Sequence, residues 1–217
     1  FNPDAYFNLG LAFSEKKITE TSIKNFKIAL KQQKNFPECY YNLGNLYLNT
    51  GESKKAILYY NQSLELNNNY YKALNNIGVA YMQLYSFDDA IKHFNKALTI
   101  YNNYPEALAN LGVAYMEKKE FEKAIEFFNQ ALKINENFLN ARVQKLFIQR
   151  RFCDWSETHK VNVLLKQLAK TNENITPWQL FAIEDSPKNH LNRAKKYSVK
   201  FISKEKSKFY FKNKKIK

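Results

Sequence analysis

An asparagine followed by Leu or Ile and then glycine recurs four times, as Asn8-Leu9-Gly10, Asn42-Leu43-Gly44, Asn76-Ile77-Gly78 and Asn110-Leu111-Gly112, each 34 residues after the last. A carboxamide is both donor and acceptor, so a regular row of them suits hydrogen bonding to the backbone of an extended polypeptide, whatever its side chains. The other reactive groups do not assemble in this way. Cys153 and His159 are of types that serve as nucleophile and base, and His93 and His190 of a type that binds metals, but no third orienting group and no paired ligand stands at a recognisable spacing. Cys39 and Cys153 form neither a Cys-x-x-Cys motif nor a Cys/His ligand set. These residues point to recognition rather than reaction, with no catalytic residue, no metal site and no cofactor expected in this chain.

The elements that must carry the asparagines follow from the same period. A glycine inside a helix costs about 1 kcal/mol relative to alanine, and a cost repeated at a fixed interval marks a repeat architecture. With position 1 set at Pro3, Pro37, Tyr71 and Pro105, four 34-residue units align without a gap through Phe138. In a first helix, A, position 7 is Leu9, Leu43, Ile77 or Leu111, position 8 is glycine, and position 11 is Phe13, Tyr47, Tyr81 or Tyr115. In a second helix, B, position 20 is small (Ser22, Ala56, Ala90, Ala124), position 24 aromatic (Phe26, Tyr60, Phe94, Phe128) and position 27 small again (Ala29, Ser63, Ala97, Ala131). Two helices cross closely only where one presents no side chain and a ring from the other fills the notch. The glycine and the small positions predict those notches. Five glycines and five prolines leave few turns for a sheet, and no apolar run approaches the ~20 residues that span a bilayer, so an all-α chain without a membrane span is expected.

This pattern resembles the tetratricopeptide repeat, a 34-residue helix-turn-helix unit with small residues at positions 8, 20 and 27. The resemblance covers residues 3–138 as four repeats and implies a right-handed α-solenoid superhelix. In that family the concave surface is lined mainly by helix A, including positions 2, 5, 6, 9, 12 and 13. It implies a peptide-binding groove that carries Asn8, Asn42, Asn76 and Asn110 at position 6, with Asn45, Tyr41 and Asn75 beside them; hydrogen bonding between repeats is the other use of the same amides. Family members that clamp a terminal carboxylate line the groove with Lys and Arg, whereas positions 5 and 9 here hold Phe7, Tyr41, Asn75 and Ala109, and Leu11, Asn45, Val79 and Val113. The proline usual near the end of the unit is replaced by Lys34, Asn68, Asn102 and Glu136, while Pro37 and Pro105 open the following helix.

Beyond Phe138 one more helix is predicted, Asn140 to Arg151, with Leu146 where the glycine would stand, so the repeat pattern stops. Cys153-Asp154-Trp155 follows, then a helical pattern with Val161, Leu164, Leu165 and Leu168, a capping box at Thr176-Pro177-Trp178-Gln179, and a further helix start at Ser186-Pro187. A helix ending in Cys-Asp-Trp after tetratricopeptide repeats, then Pro-Trp-x-Leu-Phe-Ala-Ile-x-Asp-x-Pro, resembles the segment that joins repeats to catalytic domain in bacterial O-linked N-acetylglucosamine transferases of the SPINDLY type. Residues 139–203 are on that resemblance a capping helix and helical linker. The family's catalytic histidine and nucleotide-sugar site would lie downstream of Lys217.

The net charge of +14 is uneven. Lys188 to Lys217 holds 12 Lys/Arg against Glu205, leaving +3 on the first 187 residues. Residues 204–217 interleave lysine with aromatics and form a basic tail, read as a solvated linker rather than a nucleic-acid site because no basic face accompanies it. The cysteine usage fits a reducing, cytoplasmic setting; the chain opens on Phe1 rather than Met, so the lack of a leader carries no weight. The expected function is that of a protein-recognition superhelix within a protein O-N-acetylglucosamine transferase, the alternative being a non-catalytic tetratricopeptide adaptor, with a protein or extended peptide as the partner in either case.

Overall fold

The computed structural model describes residues 2–154 and 156. Among them are nine α-helices and no strand: α1 Pro3–Glu15, α2 Thr19–Gln32, α3 Pro37–Asn49, α4 Ser53–Leu66, α5 Tyr71–Gln83, α6 Phe87–Ile100, α7 Pro105–Glu117, α8 Phe121–Ile134 and α9 Leu139–Arg151. The chain divides into two compact units, residues 1–138 and 139–217. In the first, α1, α3, α5 and α7 are the A helices and α2, α4, α6 and α8 the B helices. Pro3, Pro37 and Pro105 occupy the first turn, where the missing N–H leaves no bond unmade.

Each A–B pair is held by the same notch. A Cβ built on Gly10, Gly44, Gly78 or Gly112 would lie 2.5 Å from Cε1 of Phe26, Tyr60, Phe94 or Phe128, closer than any real contact. These four rings are fully buried, as are the small residues at positions 20 and 27. Where a small position is serine, its hydroxyl is satisfied: Ser22 Oγ donates to Gly10 O at 2.7 Å and Ser63 Oγ to Pro37 O at 2.8 Å.

The A–B turn is also the same four times. The residue at position 15 is left-handed, with φ of 60° at Lys17, 81° at Gly51, 59° at Tyr85 and 64° at Lys119. The next N–H returns to the position-11 carbonyl, as in Ile18 N to Phe13 O and Ser86 N to Tyr81 O, both within 3.0 Å. This is a Schellman closure, for which glycine is the natural residue. Only Gly51 supplies it, so helix packing holds the other three residues in a conformation that side chains disfavour.

Successive repeats stack through position 7. Leu43, Ile77 and Leu111 are fully buried, whereas Leu9 is 47% exposed because α1 is the first helix of the stack. Cys39, in α3, is buried at the α2–α3 junction with its Sγ 3.4 Å from Phe26 O, and burial pushes its thiol up to about 12. Cys153 is exposed. A thiol reagent will therefore titrate Cys153 in the native protein and Cys39 only after unfolding; rapid modification of both would contradict this packing.

In the second unit α9 buries Ala141, Val143, Leu146 and Ile148. Asp154 folds back on its end, accepting from Gln149 Nε2 at 2.8 Å while its N–H donates to Gln149 O at 2.9 Å. Hydrogen bonds from Ser156 and Gln149 hold its carboxyl below the usual range. Trp155, the helices read after it, the capping box at Thr176 and the basic tail lie outside the described residues. No described helix is long and apolar enough to cross a membrane. No group of three or more His, Cys, Asp or Glu is poised to hold a metal ion among the described residues.

Candidate peptide-binding surface

The exposed side of each A helix is one stripe. Positions 2, 6, 9 and 13 are spaced by four, three and four residues, which on a helix of 3.6 residues per turn puts them on a single face. In α3 this stripe is Glu38, Asn42, Asn45 and Asn49; in α7 it is Glu106, Asn110, Val113 and Glu117. Each A helix touches the A helix of the next repeat, and successive B helices make no comparable contact. The A helices thus approach one another more closely than the B helices do, and their stripes run side by side.

The amides are tied together across that surface. Asn76 Nδ2 donates to Asn45 Oδ1 at 2.8 Å and to the Tyr41 hydroxyl at 3.3 Å, joining α5 to α3. Asn45 Oδ1 also accepts from the Tyr60 hydroxyl at 2.8 Å. Asn75 Nδ2 donates to Asn76 Oδ1 at 3.1 Å, and Asn75 Oδ1 accepts from Asn110 Nδ2 at 3.0 Å, joining α7 to α5. One chain of carboxamides therefore spans three repeats. Asn42 stays outside it, its Nδ2 bonding the Glu38 carbonyl one turn back at 2.8 Å. Asn8 is exposed and joins no neighbouring repeat.

The hydrogen bonds fix which way the amides present themselves. Both lone pairs of Asn45 Oδ1 are taken, so its half-buried Nδ2 carries two uncommitted N–H groups. Asn110 uses one N–H and keeps its oxygen free, and Asn42 likewise keeps its oxygen. Only Asn75, 5% exposed, is enclosed by the network.

A tyrosine cluster borders the amides. The Tyr41 ring lies 4.9 Å from Tyr70, and Tyr71 lies 4.9 Å from Tyr101 and 5.1 Å from Tyr104. Burial, with the nearby Tyr41 and Glu38 charges, pushes Tyr70 up to about 12; burial and Glu106 raise Tyr104, and burial raises Tyr60. All three phenols stay protonated near neutral pH, and the Tyr60 proton is already committed to Asn45 Oδ1. Sequence reasoning picked out Tyr41 but not Tyr70, Tyr71 or Tyr104. The signal for Tyr70 and Tyr104 was the aromatic residue at position 34 of all four units, Phe36, Tyr70, Tyr104 and Phe138; Tyr71 stands at position 1, where the other units have proline.

The tetratricopeptide repeat family model matches residues 37–70, 71–104 and 105–138, in the register set by the glycines. Among solved structures, the chain is similar to MamA (23% identity over 75% of this chain and 97% of that one, TM-score 0.65) and to a MamA fragment from Desulfovibrio magneticus RS-1 (19%, 79% and 97%, TM-score 0.67). It is likewise similar to PilF of Pseudomonas aeruginosa (18% identity over 94% and 92% of the two chains, TM-score 0.73). At these identities the likeness is one of fold. No curated protein matches the chain. Three consecutive units of matching register, each closed by the same glycine–ring notch, make residues 37–138 tetratricopeptide repeats, modules of protein–protein interaction, within an all-α solenoid.

Proposed function

We propose that the A-helix face binds an extended polypeptide, with Asn42, Asn45 and Asn110 hydrogen-bonding its backbone and Asn76, Asn75 and Tyr41 holding them in place. The observation that carries this is the direction of the amides. Bonds across the repeats leave Asn45 with outward donors and Asn110 with an outward acceptor, so little ordering is left to occur on binding. Asn8 extends the same row into the first repeat.

Asn42→Ala/Asn45→Ala/Asn110→Ala tests it, with a labelled, uncharged peptide of mixed Ser, Gln and Val as the probe. Each amide–backbone bond contributes about 0.5–1.5 kcal/mol net, so affinity should fall by roughly 10- to 1000-fold. Unchanged peptide affinity in the folded variant overturns the reading.

The finer reading, that these repeats serve a protein O-N-acetylglucosamine transferase, rests on the residues around Cys153-Asp154 and Trp178. Its support in the fold is that α9 ends at Arg151, directly ahead of that motif. A coding sequence that continues past Lys217 into a Rossmann-like domain would support it; one that does not would leave the adaptor reading.

A further inference from the structure

Every charged residue of the four A helices falls at position 2 or 13 of the exposed stripe. Asp4, Glu38, Lys72 and Glu106 stand at the first and Glu15 and Glu117 at the second, five carboxylates against one ammonium, all exposed. The A-helix face thus carries a net charge of −4 in a chain of +14, while the B helices carry nine lysines against six carboxylates. The ion pairs at Lys55, Lys118 and Lys123 involve turns and B helices, and none engages these five carboxylates.

Local helix energetics account for part of this. Asp4, Glu38 and Glu106 lie in first turns, where a carboxylate complements the helix dipole. Glu15 and Glu117 do not have that explanation. Each is the last residue of its helix, where negative charge opposes the dipole, and the lysines that follow it at the cap, Lys16-Lys17 and Lys118-Lys119, form no ion pair with it. Carboxylates kept where their own helix disfavours them, and left unpaired, complement a cation from outside.

We infer that the A-helix face takes an extended segment bearing lysine or arginine side chains, an inference that rests on the groove reading above. Positions 2 and 13 lie about 16 Å apart along each helix, with the amides between them. A strand running over the amides sends alternate side chains to opposite sides, so cations on successive residues face in turn the position-2 row and the position-13 row, which is acidic at its ends, Glu15 and Glu117, and neutral at Asn49 and Gln83 between them. Lys72 is the one cation on the stripe and interrupts the first rim at the third repeat.

The experiment titrates the full chain with three labelled peptides of one length, identical except that a central run of successive residues is Lys, Gln or Glu. The Lys peptide should bind about ten-fold tighter than the Gln peptide at low salt, despite the protein's overall positive charge, with most of that advantage lost at about 0.5 M salt. Glu15→Gln/Glu117→Gln should remove much of the advantage without changing Gln-peptide affinity, and Lys72→Glu should increase it. Equal affinity for Lys and Gln peptides overturns the inference and leaves the groove reading standing. A Lys preference insensitive to all these substitutions also overturns it, since the cations then bind elsewhere. Failure of every peptide to bind overturns the groove reading itself.

Discussion

Phe94→Ala will destabilise the repeat unit by about 3–5 kcal/mol, and Gly78→Ala by about 1–3 kcal/mol, yet the two together will cost less than their sum. Phe94 is fully buried in the notch, with Cε1, Cδ1 and Cζ within 2.9 Å of where a Cβ on Gly78 would lie. The ring is held on all sides and cannot swing away. Alanine is the better helix former by about 1 kcal/mol, so a net loss at Gly78 isolates the clash from the propensity gain. In the Phe94→Ala background the new methyl enters vacated space, and the sign of the Gly78→Ala effect should reverse. Gly51→Ala is the control, because nothing lies within 4 Å of its Cβ and its φ of 81° alone resists substitution. Denaturant melts of the four proteins measure the cycle. Additive losses would show that the glycine and the ring do not share one site.

Asn75→Ala will cost about 1–3 kcal/mol, whereas Asn42→Ala will change stability by no more than about 0.5 kcal/mol. Asn75 is enclosed, and its removal strands two partners at once: Asn76 Oδ1 loses its donor and Asn110 Nδ2 its acceptor. The backbone itself accepts the change, since Ala109 fills the same position in the next repeat. Asn42 bonds only its own helix at Glu38 O and faces outward, so alanine removes little that folding needs. Equal melting temperatures for the two variants would mean that the carboxamide chain contributes nothing to the stacking of repeats.

Asn76 and Asn110 show why one residue type served two expectations. At position 6 each faces outward on the stripe, as a ligand contact requires, and each also reaches a neighbouring repeat, as inter-repeat bonding requires. The two uses coexist because a carboxamide has more bonding capacity than one neighbour fills.

The 34-residue register, the helix starts at Pro37 and Pro105, and the glycine–ring notches were legible in the sequence, because each depends on residues within one helix pair, where spacing translates directly into a face. The acidic stripe was legible on the same principle, once positions 2, 6, 9 and 13 are taken as one face. Tertiary structure alone decided the rest. Asn76 meets Asn45 and Asn110 meets Asn75 across 31 and 35 residues, and no local spacing says which amide on the next A helix will come within bonding distance. The left-handed turn at position 15 carries glycine once in four copies, so composition could not announce it; helix packing imposes it on Lys17, Tyr85 and Lys119. Leu9 matches Leu43 in the repeat pattern yet stands exposed, because burial at position 7 is a property of the preceding helix and not of the residue.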